Sequence, residues 1–397
     1  APSSGFNLEN PEAAARRCVD ALKEQGAQFI ICLSHGGTNE KKKLSEDERL
    51  AEQVDGIDLI VSGHTHTTLT EPIRVNNTYI VSAGPYCENL GSITFSLGED
   101  GSKQLSDYHL LAIDETLSDD PGIAAMVERW KGLVGGTYLA RYGLTYDKML
   151  TVAGFDLPTP VSGLQSGNTL GELVADSFLW ATENLEANTS SVPTVAITAD
   201  GVLRAPLATG EITTSMVFDV LSMGVGSDGT SGFPLVGVYL TGKELKAAAE
   251  VDASVTPLMP AAQLYMAGMK YSFNTHRMFF NRVTDIQLVQ ETRRTQPAPV
   301  LGSGEQSGEY GYTVSTIDRT YSDLRDDQLY RVVTGMYSAQ MLSTVKSKSL
   351  GLLSLEPKMA DGAPVTDFEA CILRDENGSE IKEWYALAAY LQSFGEE

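Results

Sequence analysis

Positive charge is scarce in this chain. Its 397 residues carry 29 Lys and Arg against 52 Asp and Glu, a formal net charge of −23 at pH 7. A nucleic acid polymer or an anionic membrane leaflet recruits clustered cations, so neither is an expected partner. The same field repels a small phosphate ester, and such a substrate would need a local positive focus. Long apolar runs are also missing. None approaches the roughly 18–20 residues a membrane helix requires, and no membrane span is expected. Cysteine is thin: Cys18, Cys32, Cys87 and Cys371 form no Cys-x-x-Cys pair, which argues against zinc-ribbon and disulfide-scaffold classes. Cys32, inside the apolar run Phe29-Ile30-Ile31-Cys32-Leu33, reads as a buried free thiol. The chain opens Ala1-Pro2-Ser3-Ser4-Gly5 without Met or a leader pattern, so it is expected to begin after something has been removed.

What is present suffices for real cores. At 42% hydrophobic and 20% charged residues, the chain has the composition of two to three folded domains. Helix and strand signals alternate through the first hundred residues, which points to an α/β layer fold. Pro11–Glu24 has helical spacing. The run Phe29-Ile30-Ile31-Cys32-Leu33 reads as a fully buried strand, as do Ile57-Asp58-Leu59-Ile60-Val61 and Thr78-Tyr79-Ile80-Val81. Gly91-Ser92-Ile93-Thr94-Phe95 alternates as a half-exposed strand. Ser45-Glu46-Asp47-Glu48 has the spacing of a capping box, and so do Thr169/Glu172 and Thr241/Glu244. An amphipathic helix opened by Pro121 is expected to link two domains. Beyond Gly135-Gly136 a second unit begins, with strands at Val195-Ala196-Ile197, 235–240, 283–290 and 329–334. A closing helix is expected over 380–391, and residues 296–308, rich in Pro, Gly and Ser, read as a surface loop.

Histidine is rare and unevenly placed. Three of the five histidines sit in two short motifs, Ser34-His35-Gly36-Gly37 and Gly63-His64-Thr65-His66-Thr67. Each motif directly follows a predicted buried strand, and in open α/β sheets ligands bind beyond the carboxyl ends of strands. In extended backbone, His64 and His66 would project to one side about 6–7 Å apart, each able to serve one of two metal ions about 3.5–4 Å apart. Imidazole suits Zn, Mn, Fe and Co alike. A dinuclear centre also needs carboxylates, and neither motif holds one. His109 and His276 read as surface or packing residues.

Ser34-His35-Gly36-Gly37, followed by Asp58-Leu59-Ile60-Val61-Ser62-Gly63-His64-Thr65-His66, resembles the last two metal motifs of the calcineurin-like metallophosphatases. Within these the chain is similar to the 5′-nucleotidase/UDP-sugar-hydrolase branch. Asn168-Thr169-Leu170-Gly171 resembles the helix that opens that family's C-terminal domain. Asp200-Gly201-Val202-Leu203-Arg204, followed by Gly210-Glu211-Ile212-Thr213, resembles its arginine loop. The resemblance implies an α/β chain with a partial metallophosphatase domain over 1–115, a linker helix over 116–136 and a substrate-binding domain over 137–397. It further implies that His35 and His64 ligate one divalent ion and His66 another, the ions being Zn, Mn, Co or Fe. Arg204 would meet phosphate or carboxylate oxygens, a task suited to its two parallel donors. Met223 and Tyr337 fall where relatives place the two aromatic walls that bind a base. The substrate implied is a nucleotide or related small phosphate ester, and the location periplasmic or extracellular.

The departures from the family pattern carry their own expectations. The Asp-x-His motif, the bridging Asp and the Asn-His pair with the catalytic histidine are absent and are expected upstream of Ala1, so this polypeptide alone should not hydrolyse esters. Leu221-Ser222-Met223-Gly224 replaces Pro-Phe-Gly, so one stacking wall is expected to be lost. Gln340 to Thr344 replaces the ribose-binding Gly-Gly-Asp-Gly, and Ala199 stands where relatives have Asn. Two other readings stay open: a non-catalytic binding protein on a decayed nucleotidase scaffold, and a dinuclear hydrolase of a sulfur–oxygen ester.

Overall fold

The structure, a computed structural model, describes residues 9–159, 167–187, 192, 194–297, 313–348 and 354–394. The expected surface loop over 296–308 therefore lies, from residue 298 onward, outside the described residues. The chain divides into two compact units, Ala1–Ala125 and Met126–Glu397.

In the first unit, α1 (Pro11–Glu24) starts on Asn10, whose side chain accepts the Ala13 N–H, and Pro11 takes the first helical position. Proline fits there because that N–H has no helical partner anyway. Then follow β1 (Ile31–Ser34), α2 (Glu46–Gln53), β2 (Leu59–Ser62), β3 (Ile73–Val75), β4 (Thr78–Val81), β5 (Asn89–Leu97) and β6 (Lys103–Ala112). The sheet runs β1-β2-β4-β3, with β1, β2 and β4 parallel and β3 antiparallel. Val19, Ala51, Val54, Ile57, Ile60 and Ile80 form the core against the helices. β5 and β6 form a separate hairpin.

The strand expected to be buried at residues 29–33 is not. β1 is the edge of its sheet, and Leu33 is 83% exposed. Val61, its register partner on β2, is exposed as well. A continuous apolar run signals burial on both faces, yet here packing covers only the face carrying Ile30 and Cys32. Cys32 is free and half-buried, and burial, with the nearby Asp47 charge, pushes its thiol pKa up.

In the second unit the elements are α3 (Pro121–Thr137), which spans the division, then β7 (Met149–Ala153), α4 (Thr169–Asn184), β8 (Thr194–Ala199), β9 (Gly210–Thr213), α5 (Thr214–Val220), β10 (Leu235–Thr241) and α6 (Gly242–Val255). They continue as β11 (Leu264–Ala267), β12 (Met269–Phe273), β13 (Val283–Pro297), β14 (Thr313–Asp323), β15 (Leu329–Gly335), α7 (Met336–Lys348) and α8 (Glu383–Gln392). The central sheet is ordered β10-β15-β8-β11, with only the β15–β8 pair parallel. Because strand side chains alternate between faces, β8 and β15 feed two cores. Ala196 and Val333 pack with Phe178, Val217 and Trp384 of α4, α5 and α8. Val195, Ile197 and Val332 pack with Leu245 and Ala249 of α6.

Capping follows the sequence in one of three places. At α6 the box forms: the Thr241 N–H donates to Glu244 Oε2 at 2.8 Å, and the Glu244 N–H to Thr241 Oγ1 at 3.3 Å. At α4 the cap is one residue earlier than expected, with Asn168 Oδ1 accepting the Gly171 N–H at 2.9 Å. At α2, Ser45 makes no side-chain cap bond, and the helix instead turns Asp47 under the strand ends.

Candidate functional site

β1 and β2 run parallel with Ser34 opposite Ser62, so the two motifs leave the sheet side by side at its carboxyl edge. His35 and His64 converge there, with ring centroids 5.1 Å apart and planes inclined by 54°. All three motif histidines are exposed. The extended geometry expected for His64 and His66 does not occur. β2 ends at Ser62, and both histidines adopt left-handed backbone, φ 67° and 53°. Residues other than glycine seldom do so, although Asn, Asp and His do so more often than the rest, and the left-handed form costs about 1–2 kcal/mol per residue. The alternation turns the rings apart: His64 faces His35, while His66 packs edge-on against Tyr86 at 5.3 Å. Tyr86 and Cys87 are themselves left-handed, φ 54° and 60°. Strain of this kind gathers at functional sites.

The two loops fit closely. Gly37 has φ 86°, and a Cβ on it would lie 2.5 Å from Thr65 Cγ2, so only glycine fits. The Thr38 N–H donates to Thr65 Oγ1 at 3.2 Å. Beneath both loops sits Asp47, 1% exposed. It accepts the Ser34 hydroxyl on Oδ1, and on Oδ2 the Ser62 hydroxyl at 2.5 Å and the Gly37 N–H at 3.1 Å. Among the described residues no group of three His, Cys, Asp or Glu gathers closely enough to hold a metal ion. The donor chemistry fits part of such a centre: exposed imidazoles with two rings converging, and among the described residues no carboxylate that joins them as a third donor. His109 and His276 are exposed, His109 pairing with Asp107 at 2.8 Å.

The remaining predicted residues lie in the second unit. Arg204 follows the short helical turn after β8; it is exposed, and its N–H donates to the Val220 carbonyl at 2.9 Å. Met223 is half-buried, and its carbonyl accepts the Phe233 N–H at 2.9 Å, closing a loop. Gly224, φ 82°, lies so close to Phe233 that a Cβ would sit 2.3 Å from its ring. Phe233 in turn stacks on Tyr337, centroids 5.9 Å apart and planes at 23°. An aromatic side chain therefore does face Tyr337, although it does not come from the Leu221–Gly224 segment. The loop is anchored from below by Lys382, fully buried, which binds Glu380 at 2.7 Å and Asp228 at 2.8 Å. Burial opposes ionisation of Asp228, but its bonds to Lys382 and Thr230 outweigh this and hold its pKa below the usual value. This cluster also explains why α8 starts at Glu383 rather than at residue 380.

Known proteins resemble the chain in both sequence and fold. A family model described as 5′-nucleotidase, C-terminal domain, matches residues 151–344. Just under half of the chain thus resembles the 5′-nucleotidase C-terminal domain. The trifunctional nucleotide phosphoesterase protein YfkN of Bacillus subtilis (strain 168) is 28% identical over 293 residues, covering 72% of this chain and 18% of YfkN. A 5′-nucleotidase of Diplobatis ommata is 24% identical over 351 residues, covering 82% of this chain and 53% of that protein. Among solved structures, a 5′-nucleotidase precursor from Thermus thermophilus superposes with a TM-score of 0.60 at 22% identity, over 97% of this chain and 65% of the other. The chain thus spans about half the length of the Diplobatis 5′-nucleotidase and less than a fifth of YfkN. The mixed α/β fold with a nucleotidase C-terminal domain, expected from the motifs, is the one observed.

Proposed function

We propose that the chain is the carboxyl-terminal part of a metal-dependent phosphoester hydrolase of the 5′-nucleotidase kind, converting a nucleotide or related ester to an alcohol and phosphate. The observation that carries this reading is the convergence of His35 and His64 at the carboxyl ends of two parallel strands, in loops built around left-handed histidines. His35 and His64 would hold one divalent ion and His66 the other. The ions, Zn, Mn, Co or Fe, would supply Lewis acidity and a hydroxide at neutral pH. The remaining donors and the catalytic histidine would come from further sequence of the longer protein. We assign 1–115 to the metal-binding domain, 116–136 to a linker and 137–397 to substrate binding. A periplasmic or extracellular location fits this role. No helix among the described residues is long and apolar enough to cross a membrane.

Arg204 is exposed and presents two parallel donors suited to phosphate or carboxylate oxygens. Tyr337, 41% exposed and braced by Phe233, offers a ring on which a base can stack. Stacking on an aromatic side chain is worth about 1–3 kcal/mol per base. Tyr337→Ala in the longer protein is therefore expected to lower kcat/KM for AMP, relative to that for glycerol phosphate, by about ten- to a hundredfold. An unchanged ratio would remove Tyr337 from the substrate site and leave the binding of a base without support.

A further inference from the structure

Beneath the motif histidines lies a buried acid to which the metal chemistry gives no part. We propose that Asp47 is the positioning residue of the metal-binding face, the group that locks the His35 and His64 loops into one arrangement. This inference rests on the metal-centre reading only for its consequence; its geometric content stands alone. Ser34 immediately precedes His35, and Ser62 lies two residues before His64. Their register pairing places both hydroxyls on the face where α2 begins. One carboxyl group takes both hydroxyls and the Gly37 N–H. The Asp47 N–H returns a bond to the Gly37 carbonyl at 3.1 Å, and the Gly36 N–H donates to Ser34 Oγ at 3.1 Å.

A buried carboxyl is costly unless its acceptor sites are filled. Every donor that fills those of Asp47 comes from a histidine-bearing loop or the strand that feeds it. Asn at this position has one acceptor oxygen and a donor NH2, so it cannot receive all three. Ser34 or Ser62 must turn its proton away, and the loop loses a tie. A partner that bonds a metal-ligating histidine directly is typically worth 10–100-fold in metal affinity, and Asp47, which holds the loops carrying two such histidines, is expected to act on the same scale.

The test uses Asp47→Asn in two measurements. In the chain with 13C-labelled histidine and no metal, an NMR cross-peak between the His35 and His64 rings is expected in the parent. It should vanish or broaden in Asp47→Asn, while the signals of His109 and His276 and the thermal midpoint move little. If the variant fails to fold, Ser62→Ala removes one tie, leaves the carboxyl in place, and is expected to weaken the same cross-peak. A cross-peak that survives in the variant that folds overturns the proposal. In the protein extended to include the upstream sequence, Zn2+ should bind about 10–100-fold more weakly to Asp47→Asn. Equal binding overturns Asp47 as a support for the metal, whereas a parent that binds no Zn2+ overturns the metal-centre reading and leaves the cross-peak result standing.

Discussion

Replacing Glu383 with glutamine is expected to stabilise the protein at pH 8 and to change it little at pH 5. Glu383 opens α8, is 2% exposed, and presses its carboxyl against Gly335. Burial raises its pKa from 4.5 to about 8. The N-terminus of a helix favours negative charge by only about 0.3–1 kcal/mol, whereas a rise of one pKa unit corresponds to about 1.4 kcal/mol, so desolvation wins. The folded state holds the proton that the unfolded chain releases. The resulting stability is fully present below about pH 4.5 and is lost as pH rises toward 8. Glutamine keeps the shape and has no proton to lose. Thermal melts at the two pH values should separate: the parent loses a few kcal/mol, at about 2–4 °C of midpoint per kcal/mol, and Glu383→Gln shows a smaller loss. Parallel pH profiles would mean that the carboxyl is solvated in the native state.

The second large effect concerns His64. In the protein extended upstream, His64→Asn is expected to lower kcat/KM for a phosphate ester by about a thousandfold. Metal Lewis acidity is worth several kcal/mol, and about 1.4 kcal/mol is a tenfold change in rate. Asparagine is the informative replacement because it tolerates the left-handed backbone at φ 67° better than alanine does. A change in Zn2+ affinity accompanied by an unchanged thermal midpoint separates loss of a ligand from loss of the loop. Activity within tenfold of the parent would remove His64 from the metal centre.

Local chemistry is legible in the sequence, and long-range pairing is not. α1 matches its helical spacing residue for residue, and β4 and the Thr241 box follow from near neighbours along the chain. The motif histidines stand out because three lie within two strand-end motifs. Asp47 reads as part of a helix cap, since nothing in 45–48 reveals that Ser34 and Ser62 will meet above it. Phe233 carries no local signal either; only the loop closed by its N–H on Met223 brings it to Tyr337. The apolar run at residues 29–33 reads as a central strand because hydropathy reports composition and not the position of a strand in its sheet. The left-handed turn at His64 and His66 is likewise set by tertiary fit, as Thr65 lying against Gly37 shows.

The net charge of −23 disfavours a phosphate ester as substrate unless bound ions provide a positive focus, and that condition can be tested directly. The decisive measurement is phosphate release by the protein extended upstream of Ala1, supplied with Mn2+ or Zn2+ and given AMP, a UDP-sugar or p-nitrophenyl phosphate. Metal-dependent release from at least one of them, abolished by a chelator, is the predicted result. No turnover of any of the three would contradict the account and leave a binding protein on a nucleotidase scaffold.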